Sequence, residues 1–269
     1  MSSPSRNRVT PLGDIVAIPL RGAWTGNRGI LHAGREIVRF HAGDLWITCT
    51  LDFRDRRHDQ WRAHHFTWLY FHDEAVALAA GHRPCAECRR EAYGAYRTAW
   101  AAGLGVDLPS AKEMNRRLHG ERIVRGTHRR RLHRLPWSQL PDGAFVLLDG
   151  TPAVVSGGSL VEWTYQGYVG ARARPGRGTA DVITPPASVA ALSAGYPVQI
   201  AKTKGPERAS RRPSRRPRRT GDGPNLLEAR APADLELDHL RGAVVGHDLA
   251  RHDPEQMRVH SSLLPAVDW

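Results

Sequence analysis

The sequence predicts an α+β fold made of two ordered parts and a disordered segment after them. The first part, residues 1–105, contains all the cysteines, and two of them form a C-x-x-C pair after a short helical pattern. The second part, residues 106–200, has a basic helix and then apolar runs separated by turn dipeptides, which is typical of a β-rich subdomain. Residues 201–235 are rich in Pro, Arg, Ser and Gly and are expected to form a disordered linker. Residues 236–269 are expected to be an acidic tail with at most one short helix.

The first part is predicted to combine strands with short helices. The run 46–53 (WITCTLDF) alternates apolar residues and 67–71 (TWLYF) concentrates aromatic ones, so each predicts a strand. Asp73 is a suitable N-cap for a helix that continues to Ala80, and Gly81 is a suitable left-handed stop.

Two further helices are predicted on either side of residue 105. The first follows Cys88, and its Tyr93, Tyr96 and Trp100 fall on one apolar stripe that we assign to the core. The second begins with the capping box of residues 110–113 (SAKE), in which a serine and a glutamate stand three residues apart.

The remainder of the second part is predicted to consist of hairpins and one late helix. Asp149-Gly150 and Gly157-Gly158 separate apolar runs and therefore mark tight turns between strands. A further strand is expected to precede a helix that starts at Ser188 and stops at Gly195.

The charge distribution indicates a polyanionic partner. The formal net charge is +12, the linker is strongly basic, and residues 1–201 are basic without it. Such a distribution favours binding to DNA or RNA through the phosphates. The densest basic stretch inside the predicted fold is the capped helix, with three arginines expected on its outer faces, and the loop after it. The predicted phosphate contacts are Arg116, Arg117, Arg122, Arg129, Arg130 and Arg131.

The cellular compartment is predicted from what the chain lacks. No apolar run approaches the roughly 18 residues of a membrane span, and the N-terminal residues have no apolar signal-peptide region. We therefore expect a cytoplasmic protein with no membrane contact. Three cysteines, an odd number, do not suggest a secreted disulfide framework, so in a reducing compartment they favour metal or redox chemistry.

A zinc site is the predicted use of the cysteines. Tetrahedral Zn²⁺ needs four nitrogen or sulfur ligands, and Cys85, Cys88 and Cys49 supply three. A histidine is the natural fourth, and His32 is our first choice because it closes a Gly-rich loop that leads toward the strand carrying Cys49. The alternatives are His41, His58, His64, His65, His72 and His82, with His64 and His65 preferred among them. We expect a structural site, with Cys49 the only candidate nucleophile.

Two other chemistries use the same spacing. A redox C-x-x-C expects a strand before it, whereas a helix and Gly81 precede this one. Zinc-dependent deaminases carry the motifs H-x-E and P-C-x-x-C. Both patterns occur here, as His72-Asp73-Glu74 and as residues 84–88. The predicted helix fills the short interval between the two patterns, which leaves no room for the strand that separates them in a deaminase.

Residues 70–89 resemble the zinc-binding domain of the Ada family of alkylation-repair proteins. Phe71, the ALAAG run, Arg83-Pro84-Cys85, Cys88 and Arg89 stand in the register of that family's motif. The resemblance implies that Cys85 and Cys88 are the second cysteine pair of a four-cysteine zinc site. The first pair, which accepts a methyl group from a DNA phosphotriester in that family, is represented only by Cys49. The resemblance thus implies a zinc module kept for structure or binding, and it does not imply the repair activity.

The function predicted from these observations is a zinc-stabilised protein that binds nucleic acid without sequence specificity. One alternative is an enzyme of nucleic-acid modification or repair that uses zinc or a zinc-bound thiolate. An open metal position beside a cleft with Glu74 or Glu87 nearby would favour the enzyme. A third alternative is a protein that engages other proteins through its Arg-rich linker and acidic tail.

Overall fold

The computed structural model of the chain describes residues 4–54 and 59–202. The acidic tail and nearly all of the predicted linker lie outside these residues, as do Arg56, Arg57 and His58. The described residues belong to one compact unit and contain both helices and β-sheets, so the predicted α+β class is confirmed. None of the described helices has the length and apolar character that crossing a membrane requires.

A six-stranded mixed sheet holds most of the N-terminal part. Its strands are β1 (Arg8–Val9), β2 (Ile15–Val16), β3 (Trp24–Asn27), β6 (Ile47–Cys49), β7 (Leu69–Phe71) and β8 (Arg83–Pro84). Their order is β2-β1-β7-β3-β6-β8, with parallel pairing at β1–β7 and at β6–β8. A separate hairpin of β4 (His32–Ala33) and β5 (Glu36–Ile37) lies between β3 and β6 in the chain. Strands β6 and β7 confirm the two strands predicted in this region.

Helix α1 (Glu74–Ala79) begins and ends where its signals predict. The Asp73 carboxylate accepts the Val76 N–H at 2.8 Å, which is an N-cap. Gly81 follows the helix with φ of 83°, the left-handed conformation expected of its stop. A side chain at this glycine would also meet Arg122, because a Cβ there would lie 2.6 Å from the Arg122 Cδ.

Helices α2 (Arg90–Leu104) and α3 (Ala111–Arg122) confirm the other two predictions. Tyr96 and Trp100 of α2 are fully buried, as the predicted core stripe requires. The capping box of α3 is complete, since Ser110 N–H donates to Glu113 at 2.6 Å and Glu113 N–H donates back to the serine hydroxyl at 3.3 Å.

The second sheet is antiparallel throughout and contains the predicted hairpins. Its strands are β9 (His133–Pro136), β10 (Phe145–Leu148), β11 (Thr151–Ser156), β12 (Ser159–Thr164), β13 (Gly167–Ala173) and β14 (Thr179–Val182), in the order β13-β12-β11-β10-β14-β9. A 3₁₀ turn (Trp137–Gln139) follows β9. Asp149 and Gly150, both at positive φ, join β10 to β11, and Gly157-Gly158 joins β11 to β12.

The predicted start of the last helix is wrong. Helix α4 (Pro186–Ser193) begins after Pro185, two residues before Ser188. Proline suits the first turn of a helix because it lacks the N–H that would have no partner there. Ser188 is instead buried inside α4, where its hydroxyl lies 2.8 Å from the Tyr96 hydroxyl.

The second sheet contributes to two hydrophobic clusters because alternate residues of a strand face opposite sides. Val146 and Val155 pack with α2, α3 and α4 in one cluster. Phe145 and Val154 pack with α1 and the first sheet in the other. Each cluster therefore draws residues from both sides of the predicted boundary at residue 105.

Candidate metal centre

The three cysteines converge because β6 and β8 run side by side. The two strands are parallel, with Thr48 opposite Pro84. Cys49, the last residue of β6, and Cys85, the residue after β8, therefore lie at the same end of the two strands. The Cys85 N–H donates to the Thr48 carbonyl at 2.9 Å and continues the pairing. A turn then brings Cys88 back before α2 begins, and the Arg89 N–H donates to the Cys85 carbonyl at 3.2 Å.

The three sulfur atoms are close enough to share a metal ion. They all lie within 4.8 Å of one another. Zn–S bonds of about 2.3 Å at a tetrahedral angle place two sulfurs roughly 3.8 Å apart, which is inside this limit. Cys85 is 7% exposed, whereas Cys49 and Cys88 are half-buried. Cys85 is thus the buried member of the cluster, and Cys49 and Cys88 are more accessible.

Close contact makes the three thiols titrate as a group. Hydrogen bonds from Cys49 and Cys88 lower the pKa of Cys85 to about 2. The hydrogen bond to Cys85 raises the pKa of Cys49, and burial adds to the rise. The first thiolate therefore forms at Cys85, and a second anion beside it is disfavoured unless a cation is present. This is the electrostatic situation that a bound metal ion relieves.

A cavity of about 390 Å³ opens beside the sulfurs. All three cysteines line it together with an aromatic and aliphatic wall and a few polar groups. Its volume falls in the range of small-ligand sites, which are mostly apolar with few polar groups. The wall residues are Asn27, Ile47, Thr50, Leu51, Phe53, Arg62, His65, Phe66, Trp68 and Glu87.

The structure does not bring His32, the predicted fourth ligand, together with the three sulfur atoms. His32 lies on β4 and does not belong to the group of ligand atoms around the cysteines. Its Nδ1 lies 2.6 Å from the Thr67 hydroxyl, and its ring packs edge-on against Trp61.

Of the other histidines, His65 is the one that lines the cavity with the cysteines. Its Nδ1 lies 3.0 Å from the Ala63 carbonyl oxygen. His41 contacts Trp46 and His119, while His72 contacts Tyr168. No described histidine belongs to the three-sulfur group itself.

The deaminase arrangement is not assembled. His72 is absent from the described metal-ligand group, and Asp73 is the N-cap of α1. Glu74 is buried in an ion pair with Arg89 at 2.6 Å, so it does not face the cavity. Glu87 is the acidic residue that lines the cavity.

Four of the six predicted phosphate-binding arginines are exposed. Arg116 and Arg117 lie on α3, and Arg129 and Arg131 lie in the loop that follows it. Arg117 also pairs with Glu121 at 2.9 Å, one turn further along the helix. These side chains remain candidates for contact with a polyanion.

The prediction that Arg122 lies on an outer face is wrong, and Arg130 is not freely exposed either. Arg122 is fully buried and donates to the carbonyl oxygens of Gly81 at 2.9 Å and Asp44 at 2.8 Å. Arg130 is half-buried and donates to the carbonyl oxygens of Ala79 and Ile183. Both guanidinium groups therefore donate to backbone carbonyl oxygens inside the fold, Arg122 from the end of α3 and Arg130 from the segment after it.

The aromatic wall of the cavity was missed from the sequence. Phe66 and Trp68 are half-buried, with ring centroids 4.7 Å apart, and both line the cavity. The available signal was the density of aromatic residues between β6 and β7, of which we used only the run 67–71, as a strand. Which aromatic side chains reach the cysteines depends on the pairing of β6 with β3 and β8.

No protein-family model, curated protein or solved structure matches the chain. The site is therefore interpreted from its own residues.

Proposed function

We propose that Cys49, Cys85 and Cys88 hold one zinc ion in a protein that binds nucleic acid without sequence specificity. The convergence of three sulfur atoms within 4.8 Å carries the metal assignment. Thiolates are soft ligands that select zinc among the common divalent ions, and two of the three come from the C-x-x-C turn of the Ada-like motif. Such an ion would fix the end of β6 to the turn before α2.

The metal assignment predicts about one zinc per chain in the purified protein. Cys49→Ser and Cys88→Ser should each lose most of it, because serine is a poor zinc ligand. They should also unfold at lower temperature, since metal binding contributes to folding free energy. Metal analysis and thermal unfolding with and without a chelator measure both effects.

His64→Ala is the matched control, because His64 is an exposed neighbour of the cavity residue His65. It should retain zinc, and loss of zinc in His65→Ala alone would identify the fourth ligand. A protein free of metal whose unfolding is insensitive to a chelator would refute the zinc site.

The nucleic-acid assignment is supported by the exposed arginines that surround α3. Arg116, Arg117, Arg129 and Arg131 are all exposed on the helix and the loop after it. Guanidinium groups bind phosphate oxygens strongly, and contacts of this kind carry no sequence information. The half-buried aromatic pair Phe66 and Trp68 adds a surface on which an unpaired base can stack.

The nucleic-acid assignment predicts affinity for DNA or RNA that falls steeply with salt, because phosphate contacts release counterions. The double variant Arg129→Gln/Arg131→Gln should reduce the slope of log K against log[salt] by roughly 1.4–1.8, at about 0.7–0.9 per contact. Fluorescence anisotropy with a labelled oligonucleotide at several salt concentrations measures this slope. Arg172→Gln, at an exposed arginine on β13, is the control and should leave the slope unchanged. Binding that is independent of salt would refute the proposal.

A second candidate function is thiolate chemistry on a substrate in the cavity. The observation that favours it is that all three cysteines line an apolar cavity with Glu87 on its wall. In this reaction a thiolate would attack a carbon electrophile, so that an S–C bond forms as the leaving group departs with the bonding electrons.

The thiolate reaction is tested with methyl iodide, which loses iodide on attack. A metal ion deprotonates the thiols that coordinate it, so in the zinc-bound protein mass mapping should find the methyl group on Cys49 or Cys88, the two more exposed of the three. The folded protein should react faster than the same cysteines in unfolded protein. Equal rates in both states would exclude an activated thiolate.

A further inference from the structure

Arg28 is a buried cation with one nitrogen that lacks a partner. Its side chain is 1% exposed. Its Nε donates to the His82 Nε2 at 3.1 Å, and its Nη1 donates to the Gly13 carbonyl at 3.0 Å. Its Nη2 is buried and makes no hydrogen bond. A buried guanidinium nitrogen without an acceptor loses its hydration and gains nothing in return, which is costly.

Two more guanidinium groups lie in the same region. Arg28 and Arg122 each stack on the Trp46 ring, at 4.0 Å and 3.8 Å from its centroid. Arg130 approaches closely enough that its charge affects both. Among residues 4–54 and 59–202, no carboxylate forms an ion pair with any of the three.

Their electrostatics confirm that these charges are poorly compensated. Burial, and then the charge of Arg130, lowers the pKa of Arg28 to about 9, and burial lowers the pKa of Arg130 to about 9. The pKa of Arg122 is lowered well below its usual range, mainly by burial and then by Arg28 and Arg130. Cation–π stacking offsets part of this cost, but the like charges still repel one another.

The region opens to solvent through a small pocket. Its lining includes Arg28, Arg130, Trp46 and His41, with Phe40 and His128 stacked on each other at 4.2 Å. The enclosed space is about 10 Å³, which is room for a single water-sized atom. Gly13 also lines the pocket, and a Cβ there would lie 3.8 Å from the Arg28 Nη2. The unpartnered nitrogen therefore lies behind the part of the pocket wall that Gly13 forms.

We propose that this pocket is an oxyanion site that takes one oxygen of a phosphate group, with the Arg28 Nη2 as the donor. The phosphate would supply the negative charge that the three arginines lack. An oxyanion fits because one oxygen fills the enclosed space while the rest of the group lies at the mouth beside His128, which is exposed. Guanidinium forks bind phosphate better than they bind a spherical anion. The site is separate from the cysteines, and it does not rest on the function proposed for them.

The first experiment titrates inorganic phosphate into the full-length protein at constant ionic strength and follows thermal unfolding. A ligand that binds only the folded state raises Tm, by about 5–10 °C for a chain of this size at 100 times its Kd. Phosphate also stabilises proteins in general by exclusion from their surface, and that effect has no dependence on a Kd. The site predicts a rise in Tm that bends near Kd and then follows the logarithm of the phosphate concentration. A rise that stays linear in phosphate concentration from the lowest to the highest value would overturn it.

Two variants test the position of the site. Arg28→Met keeps a long side chain over Trp46 but removes the donor, so the logarithmic rise in Tm should disappear. His128→Glu places a carboxylate at the mouth of the pocket and should weaken phosphate binding at least tenfold. Because His128 is exposed, this variant should fold even if Arg28→Met does not. Lys112→Gln is the matched control, because it also lowers the net charge by one at an exposed residue away from the pocket. Equal phosphate affinity in His128→Glu and Lys112→Gln would overturn the proposal.

The source of the phosphate is then separated by competition. If inorganic phosphate displaces a labelled oligonucleotide from the wild type but not from His128→Glu, the pocket binds a nucleic-acid phosphate. If saturating phosphate leaves the oligonucleotide bound, the pocket serves a separate small phosphate ligand. Either outcome requires the saturable site, and its absence from the unfolding titration excludes both.

Discussion

Individual buried charges in this protein follow two different patterns. Glu74 is fully compensated, since it accepts hydrogen bonds from Arg89 at 2.6 Å, the Tyr196 hydroxyl at 2.6 Å and the Gln199 N–H at 3.1 Å. Arg28 is not compensated in this way. Natural proteins keep uncompensated buried charges at functional positions, which is why we assign a ligand to Arg28 and only a structural role to Glu74.

Glu74→Ala is expected to destabilise the protein by about 3–5 kcal/mol, because it leaves the Arg89 guanidinium buried without its counter-charge. The Tyr196 hydroxyl and the Gln199 N–H lose an acceptor at the same time. Urea unfolding of the wild type and the variant measures the difference in the free energy of unfolding.

Glu162→Ala is the control for this prediction, because Glu162 pairs with Arg172 at the surface. The two side chains are 31% and 48% exposed, so water replaces much of what the pair supplies. Loss of this surface pair should lower the free energy of unfolding by less than about 1 kcal/mol. A similar decrease in the free energy of unfolding in the two variants would show that the Glu74–Arg89 pair stabilises the fold no more than a surface pair does.

At the scale of elements, local signals predicted the helices and hairpins well. Asp73, Gly81 and the capping box at Ser110 act through backbone groups within a few residues, so their effect is readable in the sequence. Ser188 shows the limit of such reasoning. Its hydroxyl is used by Tyr96, a residue of another helix, and the backbone after Pro185 was already suited to begin a helix.

The strand β8 is the element that matters most for the cysteines, and it was not predicted. It consists of Arg83 and Pro84 alone, and Pro84 has no N–H to mark it as part of a ladder. Its parallel pairing with β6 nevertheless determines that Cys49 reaches the C-x-x-C turn. A parallel contact between segments that are distant in sequence leaves no periodic signal in either of them.

At the scale of the whole molecule, the second sheet packs on both of its faces. Phe145 and Val154 pack toward the first sheet, and Val146 and Val155 pack toward the helices. Removing residues 106–200 would therefore expose apolar surface of the N-terminal part. The proposed oxyanion pocket depends on this packing, since Arg122 and Arg130 of the second part donate to the carbonyl oxygens of Gly81 and Ala79 in the first.

The sequence by itself determined the α+β class, the two ends of α1 and the start of α3, because each depends on residue type and on short-range spacing. Only the tertiary structure decided which side chains surround the cysteines and which arginines are exposed. His32 contacts Thr67 and is not in the cysteine group, and Arg122 is buried in contact with Gly81. Both outcomes depend on contacts between residues more than thirty positions apart. Nothing in the local pattern of charge or periodicity encodes such contacts.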